Sequence, residues 1–173
     1  MRLIFLDIDG VLNSAEFFAK QSVYCPDVGP LWAHDSVAAA HAQDADELLD
    51  RDAVSLLNEL IRATGAVVVV SSSWRMIHPL DYIIRALTAH GFTGSVAGET
   101  PQLGPPRGNE IQSYLDTLGG MPSFVILDDR DDMTHLSHRL VQTTWGTGLQ
   151  LEHVDRAAQM LEPAPLADRQ GGR

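Results

Sequence analysis

Three short apolar runs, each leading directly into polar side chains, constrain the fold of this sequence more than any other feature. They occupy residues 3–8, 66–70 and 124–127. Runs of this length and composition are typical of strands that are covered on both faces, as in a parallel sheet. Because functional groups of open parallel sheets gather at the carboxyl ends of the strands, the polar residues that follow the runs are predicted to share one edge.

Apolar residues at helical spacing separate these runs. Asp50 or Asp52 is predicted to cap one helix, which Gly65 ends, and Pro79 begins another that ends at Gly91. Further helices are predicted around residues 111–118, 133–138 and 151–161, and shorter strands near 94–97 and 140–143. This alternation predicts an α/β fold, a three-layer Rossmann-like sandwich with a central parallel sheet.

The domain organisation is predicted from the chain length and from the positions of prolines and glycines. A chain of 173 residues suits one compact domain, predicted over residues 1–161. Within it, residues 14–50 lack clear periodicity and are predicted to form a partly helical insertion or flap over the site. Residues 162–173, with their prolines and glycines, are predicted to be a loose tail.

The charge balance limits the partners. With 23 acidic and 12 basic residues the net charge is -11, which disfavours broad electrostatic attraction to nucleic acid or anionic lipid. No uncharged apolar run approaches the roughly 20 residues that span a bilayer. The single cysteine, Cys25, excludes an internal disulfide and is expected to be a passive packing residue. We therefore expect a cytoplasmic protein without a membrane partner.

Asp7 and Asp9 stand where the first run ends. Carboxylates two residues apart share one side of a strand, so both can address one ligand beyond its end. Gly10 follows and allows a sharp turn that brings the backbone close to such a ligand. An ordinary acidic loop after a strand is the alternative interpretation of this segment.

Three serines follow the second run. The Ser71 hydroxyl, with neighbouring backbone amides, offers donors to a phosphoryl oxygen, and Ser72 is the second candidate for that role. Serines before a helix are also common caps, which is the alternative for Ser72. Trp74 and Arg75 are candidates for the border of the site, although core packing is the more usual role for such a tryptophan and a surface ion pair for such an arginine.

The third run leads into residues 128–132, which hold four carboxylates in five positions. Such crowding costs electrostatic free energy unless a cation offsets it. Mg²⁺ prefers oxygen ligands, so Asp7, the backbone carbonyl of Asp9 and either Asp128 or Asp129 are the predicted ligands. Asp132 is a candidate for orienting a metal-bound water.

The order of these segments resembles the haloacid dehalogenase-like (HAD) superfamily of phosphatases. The string DIDGVL is similar to its first motif, Ser71 to its second and DDRDD to its acidic fourth motif. The resemblance implies that Asp7 is the nucleophile and that Asp9 donates and later removes protons. The third motif of the superfamily carries a lysine, and here Arg107 stands in its place, with a guanidinium able to bind phosphate.

A narrower resemblance concerns the substrate. The strings VSSSWR, RGNEI and ILDDRDDM are similar to small HAD domains of bacterial RNA-repair proteins, and DDR also to the phosphatase domain of polynucleotide kinase-phosphatases. This implies a phosphorylated small molecule, a nucleotide or a nucleic-acid end as substrate. The segments after Asn13 and after Arg75 are short for a folded cap domain, so we expect a minimal cap or none.

Two other functions compete with a magnesium-dependent phosphomonoester hydrolase. A non-catalytic HAD-like module that binds phosphate or a partner is the main alternative, because the usual lysine is missing. A response-regulator-like receiver is disfavoured, since the second acidic group comes late in the chain and the late lysine of receivers is absent.

Overall fold

The computed structural model describes residues 1–20 and 48–162. It contains five strands: β1 (Arg2–Leu6), β2 (Val67–Val70), β3 (Val96–Glu99), β4 (Ser123–Asp128) and β5 (Leu140–Gln142). They form one parallel sheet in the order β3-β2-β1-β4-β5. From β1 the chain adds β2 and β3 on one side, and then places β4 and β5 on the other side of β1. The predicted parallel sheet is confirmed, and β1 lies at the switch in strand order where open α/β sheets bind ligands.

Five α-helices belong to the described residues: α1 (Ala15–Lys20), α2 (Arg51–Thr64), α3 (Leu80–Ala89), α4 (Arg107–Asp116) and α5 (Leu151–Leu161). Two 3₁₀-helices cover Ser73–Met76 and Thr134–Arg139. The second covers most of the helix that was predicted around residues 133–138. None of the helices in this described part is long and apolar enough to cross a membrane.

The sheet has a separate apolar core on each face, because alternate residues of its strands point in opposite directions. Ile4 and Leu6 of β1 belong to the core that includes residues of α2, α3 and α5. Leu3 and Phe5 belong to the core that includes residues of α4 and the second 3₁₀-helix. The molecule therefore has the three layers that the strand and helix pattern predicted.

The ends of α2 show how the sequence fixes local structure. Asp50 is its N-cap and accepts a hydrogen bond from the backbone N–H of Asp52. Gly65 ends the helix with φ 66°, in the left-handed region, and its N–H donates to the carbonyl of Ile61. Both ends agree with the prediction, and β2 begins two residues later.

Two predictions fall mainly outside the described residues. Of the predicted insertion 14–50, the structure describes the helix Ala15–Lys20 and residues 48–50, while Cys25 and the rest lie outside. All but the first residue of the predicted tail lies outside as well. Between Arg75 and Arg107 the chain forms only the end of a 3₁₀-helix, α3 and β3, so no cap domain is inserted there.

Candidate active site

The sheet register places three polar residues side by side. Leu6 pairs with Val70 of β2 and with Leu127 of β4, so the next residues on the three strands are also neighbours. These are Asp7, Ser71 and Asp128. The backbone N–H of Asp7 donates to Leu127 O at 2.9 Å, which shows that the ladder continues to this row. Since residues in one row face the same way, their side chains point toward the α4 face.

Three carboxylates converge at this row. Oxygen atoms of Asp7, Asp128 and Asp129 lie within 4.8 Å of one another, and we call these residues the acidic cluster. Asp7 and Asp128 are buried and Asp129 is half-buried. Asp9, which was also predicted to take part, contributes no carboxylate to the cluster because its side chain binds elsewhere. Its predicted contribution to a metal is through the backbone carbonyl.

Arg107 binds two of the three carboxylates of the acidic cluster. Its Nη1 contacts Asp7 Oδ2 and lies 2.7 Å from Asp128 Oδ2, and it donates to Ser71 O at 2.7 Å. Burial by itself lowers the pKa of this guanidinium, but the carboxylates of Asp7 and Asp128 outweigh burial and raise the pKa above its ordinary value. Arg107 is therefore a permanent cation that contacts residues at the carboxyl ends of β1, β2 and β4.

The start of α4 explains how Arg107 reaches the cluster. The backbone N–H of Arg107 donates to Asp132 Oδ2 at 3.1 Å, and the backbone N–H of Gly108 donates to Asp132 O at 3.1 Å. A Cβ at Gly108 would lie 2.2 Å from Met133 O, so only glycine allows this close approach. Asp132 accepts these bonds at the start of the helix, and its Oδ1 is buried without a hydrogen-bond partner among the described residues. Its predicted role in orienting a metal-bound water stays a prediction.

Asp9 has its own set of partners. Trp74 Nε1 lies 3.1 Å from both carboxylate oxygens, and Asn13 Nδ2 donates to Oδ1 at 2.9 Å. Burial, the largest influence, raises the pKa of Asp9, and the charge of Asp7 adds to it, while the two hydrogen bonds lower it. Trp74 is buried, as expected of a core residue, and it also borders the site, where its indole N–H binds the Asp9 carboxylate, a partner that the sequence interpretation did not identify.

The two candidate serines differ in what they bind. Ser71 is fully buried and its Oγ has no hydrogen-bond partner among the described residues. Ser72 Oγ accepts from the N–H of Trp74 at 3.3 Å and caps the first 3₁₀-helix. The capping alternative for Ser72 is therefore realised, whereas the hydroxyl of Ser71 is left for another group.

Two further residues support the first motif. Gly10 adopts φ 75°, and a Cβ there would lie 2.5 Å from the Asp129 carboxyl carbon, so this turn requires glycine. Its N–H donates to Asn13 Oδ1 at 3.1 Å. The buried Thr143 donates through Oγ1 to Gly10 O at 2.6 Å, and its N–H donates to Asp128 O. No sequence motif signals Thr143, since only the sheet order brings it here.

Arg75 corrects the prediction of a surface pair. The side chain is 3% exposed and pairs with Glu110 of α4 at 2.6 Å. Arg75 lies in the 3₁₀-helix after β2, and its Nη1 donates to Thr100 O in the loop that follows β3. No pattern in the amino-acid sequence indicates that Glu110 is the partner of Arg75.

The crowded carboxylates predict how stability depends on pH. Burial, followed by the charge of Asp7, raises the pKa of Asp128 to about 8, and burial also raises the pKa values of Asp9 and Asp129. An acid with a raised folded-state pKa binds its proton more tightly in the folded state. The stability that these groups contribute is thus fully present below pH 4 and is lost at higher pH, for Asp128 as the pH rises through about 8.

We expect the unfolding free energy of the metal-free protein to fall by on the order of 2–4 kcal/mol between pH 5 and pH 8.5. Urea unfolding in excess chelator measures this change. Asp128→Asn, which imitates the protonated carboxyl, should remove most of the dependence, while Asp116→Asn on the exposed end of α4 should not. A wild type that is equally stable at both pH values contradicts the prediction.

The comparisons with known proteins agree with the order and geometry of these motifs. The profile of the family described as "HAD domain in Swiss Army Knife RNA repair proteins" matches residues 3–154. No curated protein and no solved structure matches the chain. The matched region begins within β1 and contains the other four strands and every site residue discussed above. The chain therefore belongs to this family of HAD domains.

Proposed function

We propose that this HAD domain is a magnesium-dependent phosphomonoester hydrolase that forms an aspartyl-phosphate on Asp7. The observation that carries the proposal is the contact of Arg107 with Asp7 and Asp128 at the acidic cluster. It combines a buried carboxylate, a cation for the phosphoryl group and further oxygen ligands at one point. Asp9 lies two residues away with a raised pKa, as suits a group that carries a proton.

The residues present fit a divalent cation. The carboxylate oxygens of the acidic cluster are close enough to share one ion. Burial, followed by the charge of Asp7, raises the pKa values of Asp128 and Asp129 although Arg107 is nearby. A divalent cation would offset the negative charge that is gathered there. Asp7, Asp128 or Asp129, and the backbone carbonyl of Asp9 would hold Mg²⁺. Bound there, the ion would neutralise charge on the phosphoryl oxygens.

The side chains account for both halves of the reaction. The Asp7 carboxylate attacks phosphorus, the bond to the ester oxygen breaks, and Asp9 gives that oxygen its proton. Asp9, now ionised, takes a proton from water, which attacks the phosphorus and breaks its bond to Asp7. Inorganic phosphate leaves, and both aspartates return to their initial states.

The remaining polar groups fit the transferred phosphoryl group. The Ser71 hydroxyl is free to donate to one of its oxygens, and the Arg107 guanidinium supplies positive charge. In Asp9, Oδ1 accepts from both Asn13 and Trp74, whereas Oδ2 only shares the indole N–H. Oδ2 is therefore the oxygen better placed to carry the proton.

A nucleotide or a nucleic-acid end is the substrate that we propose. The support is the family, whose description refers to RNA repair proteins. The net charge of -11 opposes binding along a nucleic-acid backbone, so recognition would concentrate on the terminal phosphate. Turnover of 3′- and 5′-phosphorylated oligonucleotides, mononucleotides and sugar phosphates, measured in parallel, would identify the class.

Removal of the metal is the direct test of the proposed activity. We expect excess chelator to reduce hydrolysis of an aryl phosphate by at least about 100-fold, because the acidic cluster then repels the phosphoryl group. Adding Mg²⁺ back should restore the rate, and the same treatment of Asp128→Asn should change little, since that variant starts with a damaged metal site. Equal turnover with and without chelator would show that the proposed metal role is wrong.

The arginine in place of the usual lysine keeps a second function open, a HAD-like module that binds phosphate without hydrolysing it. A wild type that binds inorganic phosphate in the presence of Mg²⁺ but hydrolyses none of the compounds above would favour that module.

A further inference from the structure

Arg75 and Glu110 form a second buried arginine–carboxylate pair beside the acidic cluster. Arg75 Nη2 lies 2.6 Å from Glu110 Oε2, and the two side chains are 3% and 8% exposed. Among the described residues, the hydrogen bonds and ion pairs of both side chains go to groups outside the acidic cluster. The pair is therefore close to the chemistry without touching the reacting groups.

The Arg75 side chain joins the end of β2 to the loop after β3. Its Nε donates to Ser72 O at 2.7 Å, and its Nη1 donates to Thr100 O and to Pro101 O. Ser72 directly follows Ser71. A planar guanidinium whose donors are bound on several sides leaves the carbonyls little freedom to move apart.

Glu110 extends the connection to α4. Its Oε1 accepts from the N–H of Leu103 and of Gly104, at 2.9 and 3.1 Å. It lies one helical turn after Arg107, so anything that fixes Glu110 also fixes the first turn of α4. Pro106, the N-cap, provides no side-chain hydrogen bond to this turn.

Arg107 spans the same gap as the pair does. It starts on α4 and its Nη1 reaches the carbonyl of Ser71, at the end of β2. The separation between β2 and α4 thus sets where the guanidinium stands against Asp7 and Asp128. A misplacement of about 1 Å at such a point is enough to slow an enzyme about 100-fold.

We propose that Arg75 and Glu110 are positioning residues that hold Arg107 in contact with Asp7 and Asp128, an inference that rests on the proposed phosphatase function. The pair fixes the distance between the end of β2 and α4. This distance sets the position of the Arg107 guanidinium, which aligns the phosphoryl group. Loss of one partner would leave the other charge buried and unpaired, and the two segments would separate.

A pair that only stabilised the fold would behave differently, and the difference lies in its dependence on Arg107. If Arg75 and Glu110 act through Arg107, their replacement lowers the rate only while Arg107 is present. If they merely stabilise the fold, the same replacement has the same effect in both backgrounds.

Glu110→Gln is the first test variant, because its carbonyl oxygen can still accept from Leu103 and Gly104. In the wild-type background we expect kcat to fall about 10- to 100-fold, with a smaller change in KM. In the Arg107→Ala background we expect less than about a threefold further loss. Thermal unfolding confirms that the compared variants are folded at the assay temperature.

Two more variants complete the experiment. Asp81→Asn breaks the exposed Arg85–Asp81 pair and should leave kcat unchanged. Arg75→Lys keeps the charge but loses the planar set of donors, and it replaces Glu110→Gln if that variant does not fold. Wild-type kcat in a folded Glu110→Gln or Arg75→Lys protein, or equal losses in both Arg107 backgrounds, would overturn the inference.

Binding of inorganic phosphate in the presence of Mg²⁺, measured by calorimetry, separates this inference from the proposed function. If the wild type hydrolyses nothing, the proposed function fails, and the inference is then decided by phosphate affinity. The positioning role is supported if Glu110→Gln binds phosphate more weakly than the wild type, and if the same substitution makes no difference to phosphate affinity in the Arg107→Ala background. Unchanged affinity in Glu110→Gln, or no phosphate binding by the wild type, overturns it.

Discussion

Replacement of Asp7 by Asn is expected to reduce phosphatase turnover by at least about 10,000-fold, because an amide does not attack phosphorus and no phospho-enzyme forms. The fold should survive. Asn retains an oxygen that can accept the N–H of Ile8, which Asp7 Oδ1 does now at 2.7 Å. The substitution also removes one negative charge from the acidic cluster, so crowding there decreases.

Trapping of the intermediate makes this expectation specific. Acid quenching during turnover of a radiolabelled phosphate ester should leave label on the wild-type protein and none on Asp7→Asn. Asp116→Asn, a change of the same kind on an exposed carboxylate, should behave as the wild type. If Asp7→Asn keeps wild-type activity, Asp7 is not the nucleophile and the proposed mechanism is wrong.

The fold was largely predictable because it depends on local patterns. Buried strands appear as continuous apolar runs, and the helix at Leu151–Leu161 coincides with its prediction. Differences remain at the strand ends. The first run was expected to continue to residue 8, whereas β1 ends at Leu6. The N–H of Asp7 still bonds to β4, and the chain then turns away from the sheet at Gly10.

Part of the site was predictable for the same reason. A parallel sheet brings the ends of β1, β2 and β4 together once their order is known, so Asp7, Ser71 and Asp128 could be grouped without coordinates. Arg107 required more than this, since its place came from the resemblance to a superfamily. The structure brings all four together. Their catalytic roles stay predictions.

The contacts that could not be predicted join residues far apart in the chain. Trp74 and Asp9 are 65 positions apart, and Arg75 and Glu110 are 35 apart. Hydrophobic periodicity gives the face of an element but not the partner of a polar side chain. Arginines are mostly exposed in proteins, so exposure was the expectation for Arg75. Its burial and its ion pair with Glu110 of α4 appear only in the structure.

The roles of the two first-motif aspartates can be separated by the chemistry that each variant retains. Asp9→Asn should slow turnover roughly 100- to 10,000-fold, the usual contribution of general acid and base catalysis. Asp7 remains able to attack phosphorus in this variant. The backbone carbonyl of residue 9 also remains, so Mg²⁺ binding should persist, which calorimetry with the metal alone can verify.

The leaving group decides whether Asp9 acts as the acid. A nitrophenolate leaves without a proton, whereas an alkoxide does not, so kcat/KM of Asp9→Asn should fall far more for an alkyl phosphate than for p-nitrophenyl phosphate. Because the same variant also lacks the base that activates water, p-nitrophenyl phosphate should give a burst of product and labelled phospho-enzyme should accumulate. Equal losses for the two esters, without a burst, would show that Asp9 transfers no proton in either step.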